Sequence, residues 1–327
     1  MSEIAPIVYV SAWGLGLGAV LGASTWVTQF CTLGAIADAF LMRDRRRLKG
    51  WVLAIAIALA ATQAMHLVGL IDLGRTVYLT PDFGWLGAIL GGLVFGLGMA
   101  LAGSCAFGSL VRTGGGDLKA LIVVVVLGIA AYTTLRGLTG LGRETFIEPA
   151  NLDLTALGGQ GLPDLVAWAL GSDSDAVRPW VVAPIVAVAL IYCLGGRDLR
   201  ASRDDLVGAL VLGAVVAAGW LVTGVVGADE FEPVPLASMT FVAPVGESLV
   251  YLMTFTGASV SFGIASVGGV VALGCTIGQG VSAMSTLSLS APIALLSIFF
   301  GAYVGLRYLE EGNLLALLKL WRLGREA

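Results

Sequence analysis

The sequence predicts an all-α polytopic membrane protein of two pseudo-symmetric halves, with broken, cysteine-bearing re-entrant helices that meet near the membrane midplane. Three observations predict it. The 327 residues are 57% hydrophobic and only 12% charged, with 46 glycines and a mean hydropathy of +0.93. A soluble domain would carry roughly twice that charge, and abundant glycine lets helices approach closely in lipid. Long apolar runs recur along the whole chain. Two stretches also read alike: Leu101-Ala-Gly-Ser-Cys105-Ala-Phe-Gly108 and Val271-Ala-Leu-Gly-Cys275-Thr-Ile-Gly278. Their cysteines lie 170 residues apart, and around them Gly87 falls over Gly257, Gly98 over Gly268 and Ala102 over Ala272. A third copy of the Cys-x-x-Gly pattern is Phe30-Cys31-Thr-Leu-Gly34.

The elements follow from hydropathy and from the roughly 20 helical residues that a bilayer core of about 30 Å requires. Ile7 to Gln29 is a first span, and Leu33 to Met42, too short to cross, is a half-helix leading to basic residues. Trp51 to Leu73, Trp85 to Ser104 and Ala120 to Leu138 are further spans. The ten residues after Cys105, through Arg112 and the triplet from Gly114 to Gly116, are not expected to remain a regular helix. Gly142 to Arg178 is the longest polar interruption, and within it Leu162 to Leu170 is apolar enough to lie along the membrane surface. Trp180 to Leu194 and Leu206 to Val226 come next, then a loop from Pro233 to Pro244. Ser248 to Gly274 is an apolar run ending on Cys275, Gln279 to Ser290 a polar turn, and Ala291 to Leu309 the last of eight spans. Leu314 to Trp321 reads as an amphipathic tail. The domains are thus a membrane half over 1–141, an external loop with a short interfacial helix over 142–178, and a second membrane half over 179–327.

The net charge is −4, and its distribution is more informative than its sum. Basic residues cluster from Arg43 to Lys49, from Arg197 to Arg203 and at Lys319, Arg322 and Arg325; acids collect from Glu144 to Asp175 and from Asp229 to Glu232. The positive-inside rule places the basic stretches in the cytoplasm and the acidic loops outside. Eight spans, however, return the basic tail to the side of Glu3, a conflict that the sequence leaves standing. Met1 to Val10 has no basic n-region and no cleavage site, so a signal peptide is not expected. No patch suits nucleic acid. The four cysteines form no Cys-x-x-Cys pair, and a single histidine argues against a metal site; no cofactor is expected.

Backbone in hydrocarbon cannot leave hydrogen bonds unmade, so broken helices line cavities or meet one another. Paired interruptions in two halves are the usual pointer to a transport site. Half-helices after Cys31, Cys105 and Cys275 would aim backbone N–H groups and positive dipole ends at an anion. Thr32, Ser104 and Thr276 add hydroxyls, and Gln279 an amide. Arg112 is either a substrate cation or an interfacial anchor. A thiol is a soft, weak donor, poorly suited to sulfate or phosphate and well suited to an anion that carries sulfur. Helix N-termini also activate thiols, so an enzyme-class alternative is a membrane thiol relay that reacts covalently with its substrate. A third reading is a structural subunit whose thiols only pack. Cys193 and His66 read as packed residues, and Asp38 as a partner for nearby arginines.

Three motifs carry a resemblance: Phe30-Cys-Thr-Leu-Gly-Ala-Ile-Ala-Asp38, Gly98-Met-Ala-Leu-Ala-Gly-Ser-Cys105 with Leu110-Val-Arg-Thr-Gly-Gly-Gly116, and Gly274-Cys-Thr-Ile-Gly-Gln-Gly280. Together with Arg136-Gly-Leu and Gly219-Trp-Leu-Val-Thr-Gly224 they resemble the YeeE/YedE family of sulfur-compound transporters. The resemblance implies a multi-pass protein of the bacterial inner membrane that imports thiosulfate through an hourglass-shaped interior. It implies substrate contacts from Cys31, Cys105 and Cys275, with Gly34, Gly108 and Gly278 beside them. It also implies a cytoplasmic sulfur-carrier partner of the TusA type. The sequence departs from the family between Ile264 and Gly268-Gly269, where family members carry a charged connector and most of a further span.

Overall fold

A computed structural model of the chain describes residues 6–228, 234–254 and 277–311. These residues are nearly all helical, and seven helices are long and apolar enough to cross a membrane: Val8–Phe40, Arg46–Leu67, Trp85–Gly114, Leu118–Arg136, Ser174–Leu194, Arg203–Val226 and Ser290–Glu311. Large apolar side chains such as Val94, Ile122, Trp180 and Leu296 face outward along them, as lipid contact requires. The chain is a multi-pass, all-α membrane protein. Most of the run expected from Ser248 to Gly274 lies outside the described residues, as do Gly257, Gly268 and Ala272 of the 170-residue register.

Two of the seven spans are each broken once, at a cysteine. The first comprises α1 (Pro6–Thr28) and α2 (Thr32–Phe40), separated by Gln29 in the left-handed region at φ +52°. The second comprises α4 (Trp85–Ala102) and α5 (Ala106–Gly114), separated by Gly103 at φ +71°. A left-handed residue ends a helix, and glycine adopts it without Cβ strain. Between them runs α3 (Arg46–Leu67). Next, α6 (Leu118–Arg136) starts on Asp117, whose carboxylate accepts from the backbone N–H groups of Lys119 and Ala120. Then come α7 (Leu138–Phe146), α8 (Leu162–Leu170), α9 (Ser174–Leu194), α10 (Arg197–Ala201), α11 (Arg203–Leu221), α12 (Val242–Met253) and α13 (Ser290–Glu311). A two-residue ladder pairs Asp82 with Asp153 and Phe83 with Leu152.

Several expectations need correction. The residues after Cys105 do remain a regular helix, because Gly108 is the only glycine before Gly114; the remaining glycines end α5, with Gly116 at φ +91°. Helix α9 starts six residues before Trp180 and carries both Pro179 and Pro184 inside it. Helix α12 starts at Val242 with Pro244 in its first turn, not beyond a loop reaching Pro244. Helix α3 starts at Arg46, five residues before Trp51, so the basic cluster supplies its first turn.

Close packing depends on glycine. Helices α4 and α13 run parallel, with Gly92 against Ala294 and Ser297, Gly96 against Ile298 and Ala302, and Gly305 against Leu97 and Ala100. A Cβ at Gly96 would overlap the Ile298 carbonyl oxygen and lie 2.7 Å from the Ala302 nitrogen. Helices α3 and α11 are also parallel: Gly50 faces the Asp205 carbonyl, and Gly213 faces Ala54 and Ile57. Trp220 at the end of α11 is fully buried and donates its indole N–H to Ser285 Oγ at 3.0 Å.

The two ends differ in charge. At the Arg46 end of α3, Lys49 pairs with Asp198 at 2.9 Å and Arg46 with Asp205 at 3.0 Å, which brings two basic clusters together. The Lys49 ammonium holds the exposed Asp198 carboxyl below its usual range. Gln63 lies about 25 Å along α3 from Arg46 and joins the other end: it donates to the Ser285 carbonyl and accepts from the buried Arg178. There His66 Nε2 sits 3.4 Å from Asp175 Oδ1, and burial raises the Asp164 carboxyl while Arg178 pulls it down. Helix α8 spans Leu162–Leu170 as expected and packs on α9.

Candidate functional site

The breaks at Cys31 and Cys105 come together. Each cysteine is the N-cap of its half-helix in extended backbone, Cys31 at φ −136° and ψ 132°, Cys105 at φ −72° and ψ 165°. The two thiols lie side by side, both within 4 Å of the position a Cβ would take at Gly108. The Cys105 sulfur accepts from Gly108 N–H at 3.2 Å, whereas the Cys31 side chain makes no capping hydrogen bond. N–H groups at the start of a helix have no partner within it, and at α5 the Cys105 sulfur takes up one of them. Cys105 is fully buried, whereas Cys31 is partly open.

Glycines flank the pair. A Cβ at Gly108 would sit 3.6 Å from Cys105 Sγ and 3.8 Å from Cys31 Sγ. A Cβ at Gly34 would sit 3.7 Å from Cys31 Cβ and only 2.8 Å from Nη1 of Arg47. The thiols therefore share a slot with a guanidinium at one side. Phe30 stacks on Trp51 with ring centroids 5.1 Å apart, which sets this slot level with the first turns of α3. It lies nearer the Arg46 end of that helix than its middle.

The other expected site residues fall in different places. Ser104 is buried, and its hydroxyl meets that of Ser109 at 2.5 Å, bridging the break onto α5. Thr32 is buried at the start of α2. Arg112 is exposed and grips Asp117 through Nε at 3.1 Å and Nη2 at 2.8 Å. It stands about 10 Å along α5 from Cys105. Gly278 and Gln279 belong to a π-helical turn, Gly278–Ser282, with Gly278 buried against Thr240 and Gln279 half-buried. Gly280 in that turn faces Leu295. Leu295 lies about 15 Å along α13 from Gly305, which faces the end of α4. Cys275 and Thr276 lie outside the described residues.

Arg47 is the cation that the sequence did not single out. Its Nη1 pairs with Asp38 Oδ2 at 3.3 Å, across the Gly34 slot. Of the three consecutive arginines, 45–47, Arg46 pairs with Asp44 and Asp205 and Arg47 with Asp38, and nothing in their spacing tells which pairs form. The Asp38 partnership with an arginine is as expected. Cys193 is buried and donates to the Lys49 carbonyl at 3.2 Å, a packing role at the α3–α9 crossing. Cys31, Cys105 and Cys193 are all unbridged. Among the described residues no group of three or more His, Cys, Asp or Glu side chains could hold a metal ion.

The chain matches the family described as sulphur transport over residues 27–272 and again over 266–304. The two matches meet in the stretch where the sequence departs from the family pattern. The chain is similar to the thiosulfate transporter TsuA of Spirochaeta thermophila, 24% identical over 326 residues that cover 88% of this chain and 94% of that protein. It is 36% identical to the thiosulfate transporter TsuA of Escherichia coli over 111 residues, 34% of this chain and 30% of that one. The cysteine motifs, the broken apolar helices and these matches agree: the chain belongs to the sulphur-transport family, the YeeE/YedE thiosulfate transporters.

Proposed function

We propose that the protein takes up thiosulfate, or a related anion with a terminal sulfur, through the bacterial inner membrane, and that hydrogen bonds from Cys275, Cys105 and Cys31 relay it. The observation that supports this reading is the pair of thiols, the partly open Cys31 beside the buried Cys105, at two helix breaks next to Gly34 and Gly108. The names of the relatives point to the same substrate. In this reading the two halves, 1–141 and 179–327, are pseudo-symmetric and their re-entrant pieces meet inside the membrane. Gln279 and Gly278 belong to the outer part of the path, and the thiol pair to the inner part.

Selectivity tests the chemistry. Thiosulfate and sulfate share a −2 charge and a tetrahedral shape, so helix dipoles and net charge do not separate them. The terminal sulfur does, being larger and softer than oxygen. Thiols accommodate it but leave sulfate with weaker donors than water gave, at about 1–3 kcal/mol per unsatisfied polar contact. Excess sulfate is therefore expected to compete poorly for uptake of labelled thiosulfate, and anions with terminal sulfur or selenium to compete well. Equal competition by sulfate would mean that the site is a generic anion hole.

The charge asymmetry of the two ends orients the protein, with the Arg46 end in the cytoplasm and 142–178 outside. In a background without native cysteines, a cysteine at Ser172 is expected to react with an impermeant reagent in intact cells. One at Ser202 is expected to react only after permeabilisation. The opposite pattern reverses the orientation. A TusA-type carrier would receive the product at the cytoplasmic end, where a cavity of about 500 Å³ is lined by Arg43, Arg45, Lys49, Tyr192 and Asp198, with Met42 and Asp44.

The closeness of two thiols also favours a second reading, a covalent relay. A cysteine thiol would take the terminal sulfur of thiosulfate, forming a persulfide as the S–S bond breaks and sulfite departs. A persulfide mass adduct on Cys31 or Cys105 that persists after incubation with thiosulfate selects this reading; unmodified protein during continuing uptake selects the hydrogen-bond relay.

A further inference from the structure

We propose that Arg47 is the cation that draws the anion off the thiol pair toward the Arg46 end, and that Asp38 is the internal counter-anion with which the substrate exchanges. The inference rests on the transport reading and assigns to it a residue on which the thiol motifs are silent.

Four observations converge on Arg47. Its Nη1 lies 2.8 Å from the position a Cβ would take at Gly34, and Cys31 Cβ lies 3.7 Å from that same position. The missing side chain at residue 34 thus lets the guanidinium come up beside Cys31. The Arg47 side chain is about one-third exposed, and that of Asp38 about one-fifth, so both reach solvent while flanking the half-buried Cys31. The pair is held by one ion-pair contact, Nη1 to Oδ2 at 3.3 Å, and other N–H donors of the planar guanidinium remain to engage an oxyanion in the two-pronged geometry arginine favours. Other basic side chains nearby are committed elsewhere, Arg46 to Asp205, Lys49 to Asp198 and Arg112 to Asp117.

The chemistry follows from what thiols lack. Two S–H groups can seat a terminal sulfur, but they are weak donors to the three oxygens of thiosulfate. A guanidinium beside Cys31 supplies strong donors on the oxygen side of the ion. Its pairing with Asp38 then sets the strength of that hold. While the carboxylate keeps Arg47, the slot is neutral; when the dianion arrives, it replaces the carboxylate; when Asp38 returns, the ion is displaced. A cation without such a competitor would bind the dianion more tightly and release it more slowly.

The test uses the purified full chain in proteoliposomes, with labelled thiosulfate uptake resolved into KM and maximal rate. Arg47→Gln is expected to raise KM at least tenfold, and Arg47→Lys to recover only part of that loss. Asp38→Asn is expected to move oppositely, lowering both KM and the maximal rate. The double variant Asp38→Asn with Arg47→Gln removes both charges and is expected to match Arg47→Gln alone. Wild-type KM in Arg47→Gln overturns the proposal, as does a double variant restored to wild-type uptake, because the ion pair would then be only structural. Absence of thiosulfate uptake by the wild-type protein would instead overturn the transport reading itself.

Discussion

Replacing Cys31 or Cys105 by alanine lowers thiosulfate uptake by roughly ten- to a hundredfold at either position, while the protein still reaches the membrane. That is the expected result if each thiol donates to the passing ion, because a hydrogen bond to a charged group contributes about 1.5–3 kcal/mol. The thiols lie side by side, so their effects are coupled. The double alanine variant is expected to lose less than the product of the two single losses. Cys193→Ala serves as the internal comparison: that thiol is buried and bound to the Lys49 carbonyl, on the far side of α3 from the slot, and its loss leaves uptake unchanged. Serine at position 31 or 105 retains a donor but not a soft one, so it is expected to shift preference toward sulfate. Wild-type uptake in both single alanine variants would remove the thiols from the path.

Valine at Gly96 has the largest expected effect on assembly. A Cβ there overlaps the Ile298 carbonyl of α13, and the Ala302 nitrogen lies 2.7 Å away. Overpacking against movable side chains costs about 1–3 kcal/mol. Here the obstacles are backbone atoms, which retreat only if the helices separate along their whole contact, so the cost reaches or passes the top of that range. Helix α4 carries Cys105 at its lower end, and α13 is its main packing partner. Gly96→Val is therefore expected to prevent accumulation of folded protein, and Gly96→Ala to lower the unfolding temperature in detergent markedly. Gly91 lies on the same helix with nothing within 4 Å of its would-be Cβ, and Gly91→Ala leaves that temperature unchanged. An unshifted transition in Gly96→Ala would contradict the parallel α4–α13 contact.

Hydropathy alone determined that the chain crosses a membrane many times, because every run of some 20 apolar residues has one stable solution in lipid, a helix that satisfies its own backbone. It also placed the breaks at Cys31 and Cys105 and the short helix from Leu162 to Leu170, since these depend on local runs and on residues such as Gly103 that end a helix. Helix starts next to proline or arginine were less legible. Pro244 and Arg46 each look like punctuation, yet each tolerates an early helical position, where an N–H is unneeded or a charge still reaches water, and Pro179 sits inside α9. Pairing of particular side chains was not legible. That broken cysteine helices meet was expected, but that Gly34 and Gly108 flank the Cys31–Cys105 pair and that Arg47 rather than Arg112 stands beside it were decided by tertiary packing. The reason is physical: a charged side chain pairs with whichever acid the fold brings within about 4 Å, and that distance is set by helix contacts such as Gly96 on Ile298 and Gly213 on Ala54, far from the charges themselves.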